Sequence, residues 1–131
     1  MYGIATRSAC IPPSDPASQN FLRGYQVTDA SGAARFTTIY PGWYSGRSTH
    51  LHFKIRNELS ATSALEFTSQ LFFPESLNQT VHAQQPYAAK GQANTTNAQD
   101  GIFQGGGSQL LLAPVADGSG YTVDFNIALQ F

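Results

Sequence analysis

His50-Leu51-His52-Phe53-Lys54-Ile55, led into by Tyr40-Pro41-Gly42-Trp43-Tyr44-Ser45-Gly46-Arg47-Ser48-Thr49, is the stretch on which the fold turns. Its bulky, alternating side chains predict a β-strand over residues 50–55. The two-residue period of a strand puts His50, His52 and Lys54 on one face and Leu51, Phe53 and Ile55 on the other. Two imidazoles then lean into one space. The Pro41-Gly42 turn delivers Tyr44, and three residues later Arg47, into a loop short enough to lie beside them. A phenol, a guanidinium and two imidazoles within nine residues suggest a metal site.

Outward from this stretch the pattern stays that of strands and turns. Residues 21–29 predict a strand, Asp29-Ala30-Ser31-Gly32 supplies turn chemistry, and residues 33–40 predict a returning strand, so the pair reads as a hairpin. Before it, Ile11-Pro12-Pro13-Ser14-Asp15-Pro16 cannot continue a helix or a central strand, and residues 8–20 read as loop. Downstream, residues 65–73 predict a strand that ends at Pro74. Residues 75–108 are the least regular: a helical turn over 76–85, a segment rich in Asn, Gln and Thr, then Gly105-Gly106-Gly107. That triplet lacks the Lys-Ser/Thr and helix of a phosphate cradle and reads as loop.

Residues 109–115 and 121–131 flank the turn Asp117-Gly118-Ser119-Gly120. In the second of them Tyr121, Val123, Phe125, Ile127, Leu129 and Phe131 share a face, the pattern of a half-buried antiparallel strand. About six short strands separated by turn signals, with no long helix, predict an all-β antiparallel sandwich. No linker divides the chain, and 131 residues make one domain over residues 1–131.

Composition narrows the function. Charged residues make up 11% and the formal net charge is -1, which argues against nucleic acid or an anionic membrane as partner and leaves a small molecule. Cys10 is the sole cysteine, so neither an intrachain disulfide nor a cysteine zinc cluster can form. No apolar run is long enough to span a bilayer, and Met1-Tyr2-Gly3-Ile4-Ala5-Thr6-Arg7 lacks the basic-then-apolar layout of a signal peptide. The sequons Asn78-Gln79-Thr80 and Asn94-Thr95-Thr96 carry little weight in a chain rich in Asn and Thr.

Taken singly, each candidate has a bland reading. A lone strand histidine is usually structural, whereas His-x-His on one face is a recurrent metal-binding geometry, and both readings stand at this level. Tyr44 alone would be a packed aromatic, Arg47 alone a solvated charge, and His82, in a polar segment, is expected to be exposed. Asp29 and Glu58 fall in expected turns without the ligand spacing zinc would want. A phenolate is a hard anionic donor that suits Fe(III), so the donor set leans toward ferric iron with one further anionic ligand that composition does not name.

Phe21-Leu22-Arg23-Gly24-Tyr25-Gln26-Val27-Thr28-Asp29, Gly32, Phe36-Thr37-Thr38-Ile39-Tyr40-Pro41-Gly42-Trp43-Tyr44, Arg47 and His50-Leu51-His52 together resemble the signature of the intradiol ring-cleavage dioxygenases, the catechol and protocatechuate dioxygenase family. The match continues through Ser69-Gln70-Leu71-Phe72-Phe73 into the terminal strands and looks most like the extracellular-type branch of fungi. The resemblance implies a non-haem Fe(III) held by two tyrosines and two histidines, matched here by Tyr2, Tyr44, His50 and His52. Arg47 and Gln70 match the residues that contact substrate. It further implies a small aromatic diol and O2 as substrates, intradiol cleavage to a muconate-type diacid, and a role in aromatic compound catabolism. Family members carry several strands ahead of the first ligand tyrosine, so a chain opening at Tyr2 is expected to lack them. That departure keeps a second expectation open, a catalytically silent β-sandwich that binds phenolic ligands or a partner. A homo-oligomer is compatible with either, and an export signal would have to lie in the lost segment.

Overall fold

The computed structural model describes residues 3–8, as backbone only, together with residues 22–56 and 66–130. Its centre is a four-stranded antiparallel sheet in the order β2-β1-β3-β4, formed by β1 (Gly3–Ser8), β2 (Arg23–Val27), β3 (His50–Arg56) and β4 (Glu66–Phe72). β3, like β1, is paired on both sides, so the strand that carries the two histidines has its backbone tied down along both edges.

Register decides what shares a face. Residues directly opposite in an antiparallel pair lie on the same side of the sheet. His50 stands opposite Phe72 and His52 opposite Gln70, so these four form one face, while Ile55 stands opposite Phe67 on the other. On that second face Phe53 and Ile55 are buried, and the Phe53 ring lies 5.9 Å from Phe67 and 5.8 Å from Phe125. The period-2 reading of residues 50–55 therefore separates an apolar face from a site face.

A layer of short helices covers the His50 end. It comprises α1 (Glu75–His82), 3-10 turns at Tyr87–Lys90, Asn97–Gln99 and Gly107–Leu110, and α2 (Gly101–Gln104). Pro74 precedes α1, where a missing N–H costs nothing, and Glu75 in the first turn complements the helix dipole. Asn78, Val81 and His82 make the buried face of α1 at helical spacing. Phe72, 0% exposed, is the pivot between sheet and layer, its ring 5.9 Å from His50 and 5.2 Å from Phe103. Gly107 lets the layer approach: a Cβ there would stand 2.6 Å from Phe72 Cε2 and 2.9 Å from the Ile102 carbonyl. The glycine triplet is thus loop in part and packing contact in part.

Three expectations need correction. The turn after β2 forms, with Asp29 Oδ1 accepting from the Ser31 and Ala33 amides at 2.9 Å each, but residues 33–40 form no strand. Instead β2 pairs with β1, and the segment after the turn is drawn to α1: Tyr40 Oη donates to Asn78 Oδ1 at 2.7 Å and its ring lies 4.7 Å from Phe73. The end of the chain forms only a two-stranded ribbon, β5 (Val115–Asp117) with β6 (Gly120–Thr122), and residues 123–130 carry no strand, since among the described residues no further strand pairs with them. His82, expected at the surface, is 1% exposed, because it falls on the inner face of α1 and packs between Tyr40 and Tyr87. The outcome is a β-rich fold of one larger sheet and one ribbon. Among the described residues no helix is long and apolar enough to cross a membrane.

Candidate metal centre

Local geometry sets the loop before β3. Gly46 takes φ 85°, the left-handed region that glycine enters without penalty, and the Arg47 amide turns back toward the Tyr44 carbonyl at 3.4 Å. That turn lays Tyr44 against His50, Oη 3.4 Å from Nε2, with the rings edge to face. His52 Nε2 lies 3.1 Å from the same His50 nitrogen. Both Tyr44 Oη and His52 Nε2 thus lie beside one His50 nitrogen.

The tautomer of His50 follows from its other nitrogen. Nδ1 sits 2.6 Å from the Ser48 carbonyl, which only accepts, so Nδ1 carries the proton and Nε2 turns its lone pair toward Tyr44 and His52. Burial lowers the His50 pKa; the Ser48 carbonyl and Asp100 pull it up and the Arg47 cation pushes it down, the net being a fall. The ring is therefore neutral at physiological pH, the form that ligates a metal.

Whether a metal fits is a question of spacing. Donors bound at roughly 2.0–2.2 Å from one ion lie about 2.8–3.6 Å from each other. The contacts of 3.1 Å and 3.4 Å fall inside that range. Among the described residues no group of three or more His, Cys, Asp and Glu side chains could hold a metal, and the further potential donor beside the two imidazoles is the Tyr44 phenol. Tyr2, the other expected tyrosine ligand, lies outside the described residues. Its neighbour Gly3 pairs with Arg56, at the end of β3 away from His50.

Beside the donors stands a cation held on two sides. Arg47 Nη2 donates to Gln70 Oε1 at 2.5 Å, and Nε donates to Asp100 Oδ2 at 2.8 Å. Gln70 is brought here by its register opposite His52, so the two residues expected to meet substrate do meet each other. Asp100 was not foreseen. Burial alone would raise its carboxyl pKa, yet the donors from Arg47, Ser48 and Phe103 outweigh it and hold the group well below the usual carboxylate range. An Asp just before Gly101-Ile102-Phe103 is a helix N-cap signal that could have marked it, but nothing local points to a partner 53 residues away.

No family model matches the chain, and no curated protein does. Among solved structures it is similar to an intradiol ring-cleavage dioxygenase from Tetranychus urticae, with 24% identity, a TM-score of 0.75, and coverage of 93% of this chain and 67% of that one. A second dioxygenase gives 26% identity and a TM-score of 0.78 over 97% of this chain and 70% of that one. The dioxygenase domain of a carbohydrate-binding fusion from the cellulolytic bacterium Streptomyces sp. SirexAA-E gives 26% identity and a TM-score of 0.66 over 98% of this chain and 67% of that one.

Proposed function

We propose, from a chain that resembles the intradiol ring-cleavage dioxygenases in its 21–52 motif and in fold, that it is a non-haem Fe(III)-dependent enzyme opening catechol-type diols with O2 to muconate-type diacids. One observation carries the reading: Tyr44 Oη and His52 Nε2 stand 3.4 Å and 3.1 Å from His50 Nε2, beside the Arg47–Gln70 pair. Tyr44, His50 and His52 would hold the ion, with Tyr2 as the fourth ligand that the resemblance implies. When bound, ferric iron would withdraw electron density from a diol and open its ring to O2.

The chain's own residues supply the rest. Tyr44, as the phenolate it would be when holding the ion, would take a proton from an incoming diol hydroxyl as general base. Arg47, always charged and held in one orientation, stabilises negative charge developing on the ring. With its Oε1 engaged by Arg47, Gln70 would have its Nε2 as the donor for a ligand. His50, kept neutral, keeps its lone pair in the site. The sandwich belongs to this reading as well, with the four-stranded sheet as one layer and the segment that follows β6 laid against it through the Phe53–Phe125 contact.

A second reading, a relative that binds phenols without turnover, is favoured by the register of β1, where Gly3 stands opposite Arg56 and not beside the histidines. Visible absorption after Fe(III) addition, before and after anaerobic catechol, separates the cases. A broad tyrosinate-to-iron band that shifts with catechol, followed by O2 uptake, supports the enzyme. A shift without O2 uptake supports the silent binder, and a folded protein with no band overturns the enzyme reading.

A further inference from the structure

The Asp100 carboxylate collects more donors than a helix cap requires. Its Oδ1 accepts from the Ile102 and Phe103 amides at 2.9 Å and 3.1 Å, which is the cap of α2. Its Oδ2 accepts from Arg47 Nε and the Ser48 amide at 2.8 Å each, and from Ser48 Oγ at 3.2 Å. The side chain is fully buried, so the charge survives only because every donor around it is fixed.

Each of these contacts leads to the metal centre. Arg47 is the cation that meets Gln70. Ser48 offers the carbonyl that sets the His50 tautomer. Phe103 packs on Phe72, which packs on His50. We infer that Asp100 is the positioning residue of the site: one oxygen caps α2 while the other aims the Arg47 guanidinium and pins Ser48, so that cation and ligand imidazole are set by a single carboxylate. Arg47 Nε and Nη2 are then committed to Asp100 and Gln70, and Nη1 is the edge presented to a bound diolate. The inference rests on reading residues 44–52 as a ring-ligand site.

Asp100→Asn separates this role from a cap. Asn caps a helix about as well as Asp, whereas it brings no charge to Arg47. In the metal-free protein, the Arg47 Nε–H is read by 15N NMR. The wild type should give a shifted, slowly exchanging signal, and D100N should lose it while the Ile102 and Phe103 amides keep their protection. In the iron-loaded protein, the dissociation constant for anaerobic 4-nitrocatechol should rise about tenfold in D100N and be unchanged by D100N in an R47M background, as expected for the loss of one charge-assisted hydrogen bond acting through Arg47.

An unaltered Arg47 signal in D100N, or an equal binding loss in both backgrounds, overturns the inference. A wild type that binds no nitrocatechol removes the ring-ligand reading instead, and the Arg47 signal still decides whether Asp100 holds the guanidinium.

Discussion

The layer over the His50 end and the β5-β6 ribbon make opposite use of their side chains. In the layer, buried polar side chains reach across the fold to partners: Asn78 accepts from Tyr40, Asn97 Nδ2 donates to the Phe73 carbonyl at 2.8 Å, and Asp100 gathers the donors around Arg47. In the ribbon and in β2, apolar side chains stand in solvent, Val115 at 65% and Tyr25 at 66% exposed. The contrast teaches where cooperativity resides. Removing one partner of a buried polar pair leaves the other desolvated and unsatisfied, while trimming an exposed apolar side chain changes little. Local stability is therefore concentrated where the donor atoms meet.

The sharpest way to break that comparison is His50→Ala. It deletes the nitrogen shared by both donor contacts, and ferric-ion affinity measured by titration should fall by more than the ~100-fold that loss of an outer partner costs. Undiminished affinity would put the metal somewhere else. Next comes packing: Phe72→Ala should cost about 3–5 kcal/mol in urea unfolding, and Gly107→Ala about 1–3 kcal/mol, since the new methyl group meets Phe72 and the Ile102 carbonyl.

Acid should act on the same end of the molecule. The Asp100 carboxyl is held below its ordinary range, so the unfolded chain binds its proton first. Its contribution is present above about pH 4 and is lost as pH falls further. The unfolding midpoint should drop as pH falls below about 4, and drop less in D100N. Smallest of all, Val115→Thr and Tyr25→Thr should shift unfolding by less than about 0.5 kcal/mol. A loss as large as that of Phe72→Ala would mean that these side chains are covered in solution and would erase the contrast.

How much of this was legible beforehand depended on distance along the chain. The faces of residues 50–55, the delivery of Tyr44 and Arg47 beside the histidines, and the strand carrying Gln70 follow from period-2 geometry and a short loop, all of them local. The amphipathic end of the chain was equally clear as a pattern, yet residues 123–130 form no strand, because a pattern names a face and not the neighbour that covers it. The same limit applied to residues 33–40, which α1 draws away from β2.

By itself, then, the sequence determined which side chains share the face of β3, and so which phenol, guanidinium and imidazoles can meet. Only the tertiary structure decided that Asp100 lies under Arg47, that His82 is buried beneath Tyr40, and that β2 pairs with β1. The physical reason is that backbone periodicity acts over a few residues, whereas the partner of a buried charge or of a strand edge is chosen by the closure of long loops, which no local pattern encodes.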